Sequence, residues 1–267
     1  MGPYCPFVGS DEIVVALRAA GCVFAEEETA VLIGSAGSAA ELDALVAARV
    51  AGSPLEQLVG WVDFAGLRIA VGPGVFVPRR RTELLARQVI ALRPAVVVEL
   101  CCGVAAVAAA VAAALPEAEV HAADHSPEAL VHARENLRPD RVHGGDLDAE
   151  LPPDLRGRVD VVVANAPYVP TAAIGTMPPE ARDHEPHEAL DGGADGLDHH
   201  RRIGALAPRW LRPGGHLLIE TSRGQAAGTA AAMVGFTTEV LRDEERDGTA
   251  VLGTLSGAGS PPPRSST

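Results

Sequence analysis

Lysine is missing from this chain of 267 residues: its 22 basic side chains are all arginine, outnumbered by 35 acidic ones for a net charge of −13. Binding to a phosphate backbone depends on basic side chains displacing condensed counterions, so nucleic acid is a disfavoured partner. No stretch reaches the roughly 18 uninterrupted apolar residues of a membrane span. Residues 1–10 lack the basic segment and long apolar run of a secretory signal. The expectation is a soluble, cytoplasmic protein without membrane contact. Cysteine occurs only at positions 5, 22, 101 and 102. That spacing fits neither a zinc site nor a secreted disulfide framework, so all four are expected as reduced thiols. No internal repeat is present, and nothing fixes the number of subunits.

The length suits one α/β domain plus a smaller appendage. Helical patterns over 11–20, 26–34 and 38–51, the last with Leu42, Leu45, Val46 and Arg49 at helical spacing, predict a small N-terminal helical domain at 1–57. Residues 61–71 alternate around a Gly turn like a β-hairpin and end at Gly72-Pro73-Gly74, giving a linker at 58–78. From Val96 onward, short apolar runs at 96–100, 120–124, 142–146, 159–164 and 216–220 alternate with helical stretches. That alternation predicts a doubly wound, mostly parallel α/β sheet at 79–255, covered on both faces. The tail at 256–267 is rich in Gly, Pro and Ser and is expected to be disordered.

In such a sheet ligands bind beyond the carboxyl ends of the strands, where strand order reverses. Four strand ends carry informative residues. The first runs Glu99-Leu100-Cys101-Cys102-Gly103-Val104-Ala105, an acid followed by a turn into an Ala-rich helix whose first N–H groups are free to meet a ligand. The second puts Asp124 about 20 residues later, where a carboxylate suits a ribose diol, or where it or Ser126 caps the helix opening at Pro127. The third closes on Gly145-Asp146-Leu147, and the fourth delivers Asn165-Ala166-Pro167-Tyr168.

The last turn suits methylation of a planar nitrogen. An amide –NH2 is a poor nucleophile because its lone pair is delocalised, so orientation has to do most of the work. An Asn165 side-chain oxygen and the Ala166 carbonyl, each accepting one N–H, turn the lone pair toward an incoming methyl group. Pro167 fixes φ, and Tyr168 supplies an aromatic wall with its hydroxyl left for a partner at the rim. Two further clusters invite chemistry. Asp183-His184-Glu185-Pro186-His187 and His199-His200 are dense in possible metal ligands, but Pro186 and adjacent histidines do not make a one-faced pair, so no metal is expected and loop or surface roles suffice. Cys101-Cys102 has no evident base beside it and is expected to pack below a ligand.

At these residues the chain resembles the protein-(glutamine-N5) methyltransferases that modify release factors, in particular relatives carrying Asn-Ala-Pro-Tyr. The likeness extends over residues 73–79, 99–103, 145–147, 165–168 and 189–197. It implies the class I methyltransferase fold, with a seven-stranded sheet ending in an antiparallel hairpin, at 238–241 with 249–255. It also implies S-adenosyl-L-methionine on the turn at 101–105, its ribose on Asp124 and its adenine near Asp146 and Leu147. The substrate amide would lie on Asn165 to Tyr168, and the helical domain would dock a protein substrate such as a release factor. Where the family carries Gly-x-Gly-x-Gly, this chain has Cys101-Cys-Gly103-Val-Ala105. An alanine held at positive φ there is strained by about 1 kcal/mol, and its methyl is expected to stand where backbone should meet the cofactor, weakening binding. The run Arg79-Arg80-Arg81 replaces a mixed motif and is expected as a solvated helix start. The alternatives are a nucleobase exocyclic-amine methyltransferase, against which the net charge argues, and an inactive binding relative, which loss of cofactor binding would reveal.

Overall fold

The computed structural model describes residues 9–256. Cys5, most of residues 1–10 and the expected tail beyond Ser256 lie outside the described residues. Four helices open the described chain: α1 (Ser10–Ala19), α2 (Ala25–Ser35), α3 (Ala39–Val50) and α4 (Leu55–Val59). Ile13 and Leu17, one turn apart on α1, meet Ala25, Leu32 and Val46 in a separate small core. The Ser38 hydroxyl caps α3 by accepting from the Glu41 N–H at 3.2 Å. Arg49, on the expected apolar stripe of α3, is buried because it pairs with Glu28 at 2.6 Å.

The hairpin β1 (Trp61–Phe64) and β2 (Leu67–Ala70) turns through Ala65 and Gly66, both at positive φ, as a tight two-residue hairpin requires. After it come α5 (Glu83–Leu92), β3 (Val96–Leu100), α6 (Ala106–Ala114), β4 (Glu119–Asp124), α7 (Pro127–Asn136), β5 (Val142–Gly144) and β6 (Val159–Ala164). The chain finishes through α8 (Pro179–His184), α9 (Asp198–Leu206), β7 (Leu211–Glu220), α10 (Ala226–Ala232), β8 (Phe236–Asp243) and β9 (Gly248–Leu255). Strands β3 to β9 form one sheet in the order β5-β4-β3-β6-β7-β9-β8, parallel except for the terminal β8–β9 hairpin. One face is covered by α5, α6 and α7, the other by α9 and α10. The expected doubly wound sheet with an antiparallel end is therefore present. Two strands depart from expectation. β5 stops at Gly144, ahead of Asp146, because Gly145 and Leu147 take positive φ and leave the ladder. β7 starts at Leu211 instead of 216, its register against β6 slipping near Pro213-Gly214-Gly215.

The order reverses between β3 and β6, since the chain runs outward through β4 and β5 and then crosses back. Leu100 and Ala164 are paired neighbours there, so the turns after them open side by side.

Candidate active site

A cavity of about 350 Å³ opens at this reversal. Its wall includes Glu99, Cys101, Cys102, Gly103, Val104, Asp124, Asp146, Leu147, Asn165, Ala166, Pro167 and Tyr168. Every expected site residue thus meets the cavity except Ala105.

In the first turn Cys101, Gly103 and Ala105 all take left-handed backbone, at φ of 51°, 53° and 61°. The expected strain at Ala105 is there, but its direction differs from expectation. Positive φ turns the Ala105 methyl inward, where it is fully buried among the residues packing α6 on the sheet. It does not obstruct the cavity, and the expected clash with a ligand is corrected. Gly103 instead faces open space: a Cβ there would meet nothing within 4 Å. Its N–H donates to Asp124 Oδ2 at 2.7 Å, while Asp124 Oδ1 accepts from the Ser126 N–H at 2.9 Å. Ser126, not Asp124, caps α7, accepting from the Ala129 N–H. Behind the turn, Glu99 accepts from the Ala108 N–H at 2.7 Å in the first turn of α6. Burial pushes its carboxyl up to about 8, with Asp124 adding to the rise. Asn136 ties the linker to this turn by donating to both the Ala70 and Val104 carbonyls at 2.9 Å. Cys101 and Cys102 are free thiols, both pushed up by burial, as expected of packing rather than nucleophilic cysteines. Asp146 sits at the rim, paired with Arg202 at 2.6 Å.

In the second turn the Asn165 Nδ2 donates to Thr82 Oγ1 at 3.3 Å. That bond sets which way the amide faces. Among the described residues no group donates to Asn165 Oδ1 or to the Ala166 carbonyl, so two acceptors remain at adjacent positions on the cavity wall. The Tyr168 hydroxyl donates to Glu220 Oε1 at 3.4 Å. Its partner is a buried carboxylate at the end of β7, not a group at the rim, and burial beside that carboxylate pushes the phenol up to about 12. Gln225 Nε2 holds the Tyr168 carbonyl at 2.8 Å. Next along the chain, the Val169 N–H donates to the Leu190 carbonyl at 3.0 Å and the Gly192 N–H to the Val169 carbonyl at 2.8 Å, closing residues 169–192 into an excursion that walls the cavity.

Arg80 is exposed at the start of a helical turn, as expected, but its two neighbours are not simply solvated: Arg79 pairs with Glu185 and Arg81 with Glu220 at 3.2 Å, because two otherwise buried carboxylates need cations. His200 is no surface residue either. It is fully buried, with Nδ1 on the Thr229 hydroxyl at 2.9 Å, and burial pulls its imidazole down to about 4. Sequence reasoning missed Thr82, Glu185, Glu220 and Gln225. Glu220 was detectable, since it closes an apolar strand as Glu99 and Asp124 do. Thr82 and Glu185 lie 83 residues before and 20 residues after Asn165, and no local pattern links them to it. Among the described residues no cluster of three or more metal-ligating side chains occurs, and no helix is long and apolar enough to cross a membrane.

The methyltransferase small domain family matches residues 66–177. The release factor glutamine methyltransferase of Mycolicibacterium smegmatis is 45% identical over 199 residues, covering 72% of this chain and 70% of its own length. That of Streptomyces coelicolor is 44% identical, covering 66% and 65%. The matched part spans about two thirds of these relatives. A methyltransferase from Pyrococcus furiosus of known structure aligns over 72% of this chain and 90% of its own with a TM-score of 0.51 at 16% identity, a likeness of fold alone. With the sheet order and the turn at the strand reversal, these matches make the fold that of the class I methyltransferases. The chain belongs to the release factor glutamine methyltransferase family.

Proposed function

We propose that this protein transfers a methyl group from S-adenosyl-L-methionine to a glutamine side-chain amide in a protein, a release factor being the favoured acceptor, in the cytoplasm. The observation that carries the reading is the Asn165–Thr82 hydrogen bond, which turns the Asn165 side-chain oxygen to the cavity beside the free Ala166 carbonyl. Two acceptors side by side match the two N–H groups of one –NH2. Holding both draws the amide nitrogen into a fixed orientation with its lone pair out of the hydrogen-bond plane. Pro167 keeps the spacing, and the Tyr168 ring, anchored through Glu220 and Gln225, backs the planar group.

The first turn suits the cofactor. Gly103 leaves room for close approach, the start of α6 offers N–H groups, and Asp124 is already aligned by two backbone donors, so the diol of a ribose meets a fixed carboxylate. Val104 and the half-buried Cys101 line the same end, with Asp146 and Leu147 beyond them for the base. When bound, S-adenosyl-L-methionine supplies an electrophilic methyl on a sulfonium. The acceptor nitrogen would form its bond to that methyl as the methyl–sulfur bond breaks, leaving S-adenosylhomocysteine as a neutral thioether, and its N–H proton would pass to solvent, so no residue need form a covalent bond. Because the Ala105 methyl points into the core, the altered turn is compatible with an active site, which favours the enzyme over an inactive relative. Helices α1 to α4, joined to the rest by Arg49–Glu180 at 3.6 Å and by Gln57 on the Val75 carbonyl at 2.9 Å, are the proposed docking domain for the protein substrate.

Calorimetric titration with S-adenosyl-L-methionine, followed by transfer of labelled methyl to glutamine-containing protein, tests the reading. Saturable binding with label on glutamine is expected, and Asn165→Ala should abolish transfer while retaining cofactor affinity. Folded protein that binds no cofactor, or an Asn165→Ala variant of full activity, would overturn it.

A further inference from the structure

Glu185 follows α8 and lines the cavity, yet its side chain is only 1% exposed. One oxygen is fully used: Oε1 accepts from the Val77 N–H at 3.2 Å and from the Arg79 guanidinium. The other, Oε2, has no hydrogen-bond partner among the described residues. Among those residues Glu185 is the one cavity-lining carboxylate with a buried oxygen left unpartnered. A buried, unfilled acceptor is costly, and such a group in a native fold calls for an explanation. A linker clasp alone does not supply one, because the clasp needs only Oε1.

The position of Glu185 says what would fill it. Its contacts are to residues 77–79 of the linker, and α8 beside it is tied to the helical domain through Glu180 and Arg49. Among the described residues no hydrogen bond or ion pair joins it to the turn at 101–105. The two N–H groups of the acceptor amide are already matched by Asn165 and Ala166. A polypeptide acceptor brings further donors, its main-chain N–H groups.

We propose that Glu185 Oε2 accepts a main-chain N–H of the segment bearing the reactive glutamine, so that Glu185 makes the site select a polypeptide over a free amide. The assignment rests on the glutamine reading above. A glutamine amide here would retain an oxygen for Val77 and Arg79 while placing N–H groups where Oε2 now stands, so Glu185→Gln keeps the clasp and removes only the proposed acceptor.

The expected result is a fall of roughly tenfold or more in kcat/KM for a glutamine peptide, the size of one charge-assisted hydrogen bond. The Kd for S-adenosyl-L-methionine should be unchanged. A substrate-side measurement on the wild-type enzyme guards against a variant that fails to fold: peptides each carrying one ester in place of a main-chain amide. One ester position should lose a similar factor with wild-type enzyme, and lose little further with Glu185→Gln, since the two changes delete the same bond. Glu185→Gln with wild-type kcat/KM, no ester position that matters, or a loss confined to cofactor affinity would each overturn the assignment. A wild-type enzyme that binds cofactor but methylates no glutamine peptide would instead overturn the glutamine reading, and Glu185's role with it.

Discussion

Thr82 offers the sharpest test of how the acceptor site is oriented. It is 4% exposed and receives the Asn165 Nδ2–H at 3.3 Å, with the Glu220 carboxylate as its electrostatic neighbour. That carboxylate draws the Thr82 proton toward itself, which leaves the hydroxyl oxygen lone pair to Asn165. Flipping the Asn165 amide would set two oxygens against each other. Thr82→Val keeps the shape and deletes this discrimination. A neutral hydrogen bond of this kind contributes about 1 kcal/mol, which corresponds to a factor of roughly five in the population of the productive orientation. Steady-state methyl transfer should therefore show kcat/KM for the acceptor reduced about three- to tenfold, with Thr82→Ser close to wild type and the calorimetric Kd for cofactor unaltered. Thr82→Val with full kcat/KM would refute the idea that Thr82 sets the amide, and an equal loss in Thr82→Ser would point to packing instead.

Ala105→Gly relieves left-handed strain of about 1 kcal/mol but removes a buried methyl worth about 0.8 kcal/mol and loosens the unfolded chain, so thermal melting should barely move and cofactor affinity should stay within about twofold. Glu99 has a folded-state pKa near 8 against an ordinary 4.5, so the folded protein holds the proton more tightly. Its contribution to stability is full below pH 4.5 and is lost as pH rises toward 8, and denaturation across that range should show a shallower decline for Glu99→Gln. Gly196→Ala sets a Cβ 2.3 Å from both the Tyr168 carbonyl oxygen and Gln225 Nε2 at a φ of +76°. It should destabilise the fold by about 2 kcal/mol or more by chemical denaturation and depress transfer by displacing Tyr168.

The central strands were legible because β3 and β6 are short apolar runs buried along nearly their whole length, and the runs at 96–100 and 159–164 coincide with them. The start of β7 was hidden by Pro213-Gly214-Gly215, which reads as a turn. In the structure Gly215 stays in the strand, where a side chain would approach the Arg212 carbonyl within 2.9 Å. Cavity-wall residues next to a strand end were also legible, because strand ends converge at the reversal. What orients them was not. Thr82 against Asn165, Arg81 against Glu220 and Arg79 against Glu185 are pairings of residues 83, 139 and 106 positions apart, and only the folded chain brings them together. The alanine turn was misjudged in one respect: sequence signals a left-handed residue, but not the side to which its methyl projects.

The clip that joins Val169 to Leu190 and Gly192 makes the intervening stretch a lariat whose two ends are fixed whatever lies between them. Loop-closure entropy grows only with the logarithm of length, so lengthening or shortening that stretch changes the energy of the fold slightly once its neck is tied. Provided Glu185 keeps its clasp on Val77 and Arg79, this part of the chain can therefore vary, diversifying what the enzyme grips while the turn carrying Asn165 stays where it is.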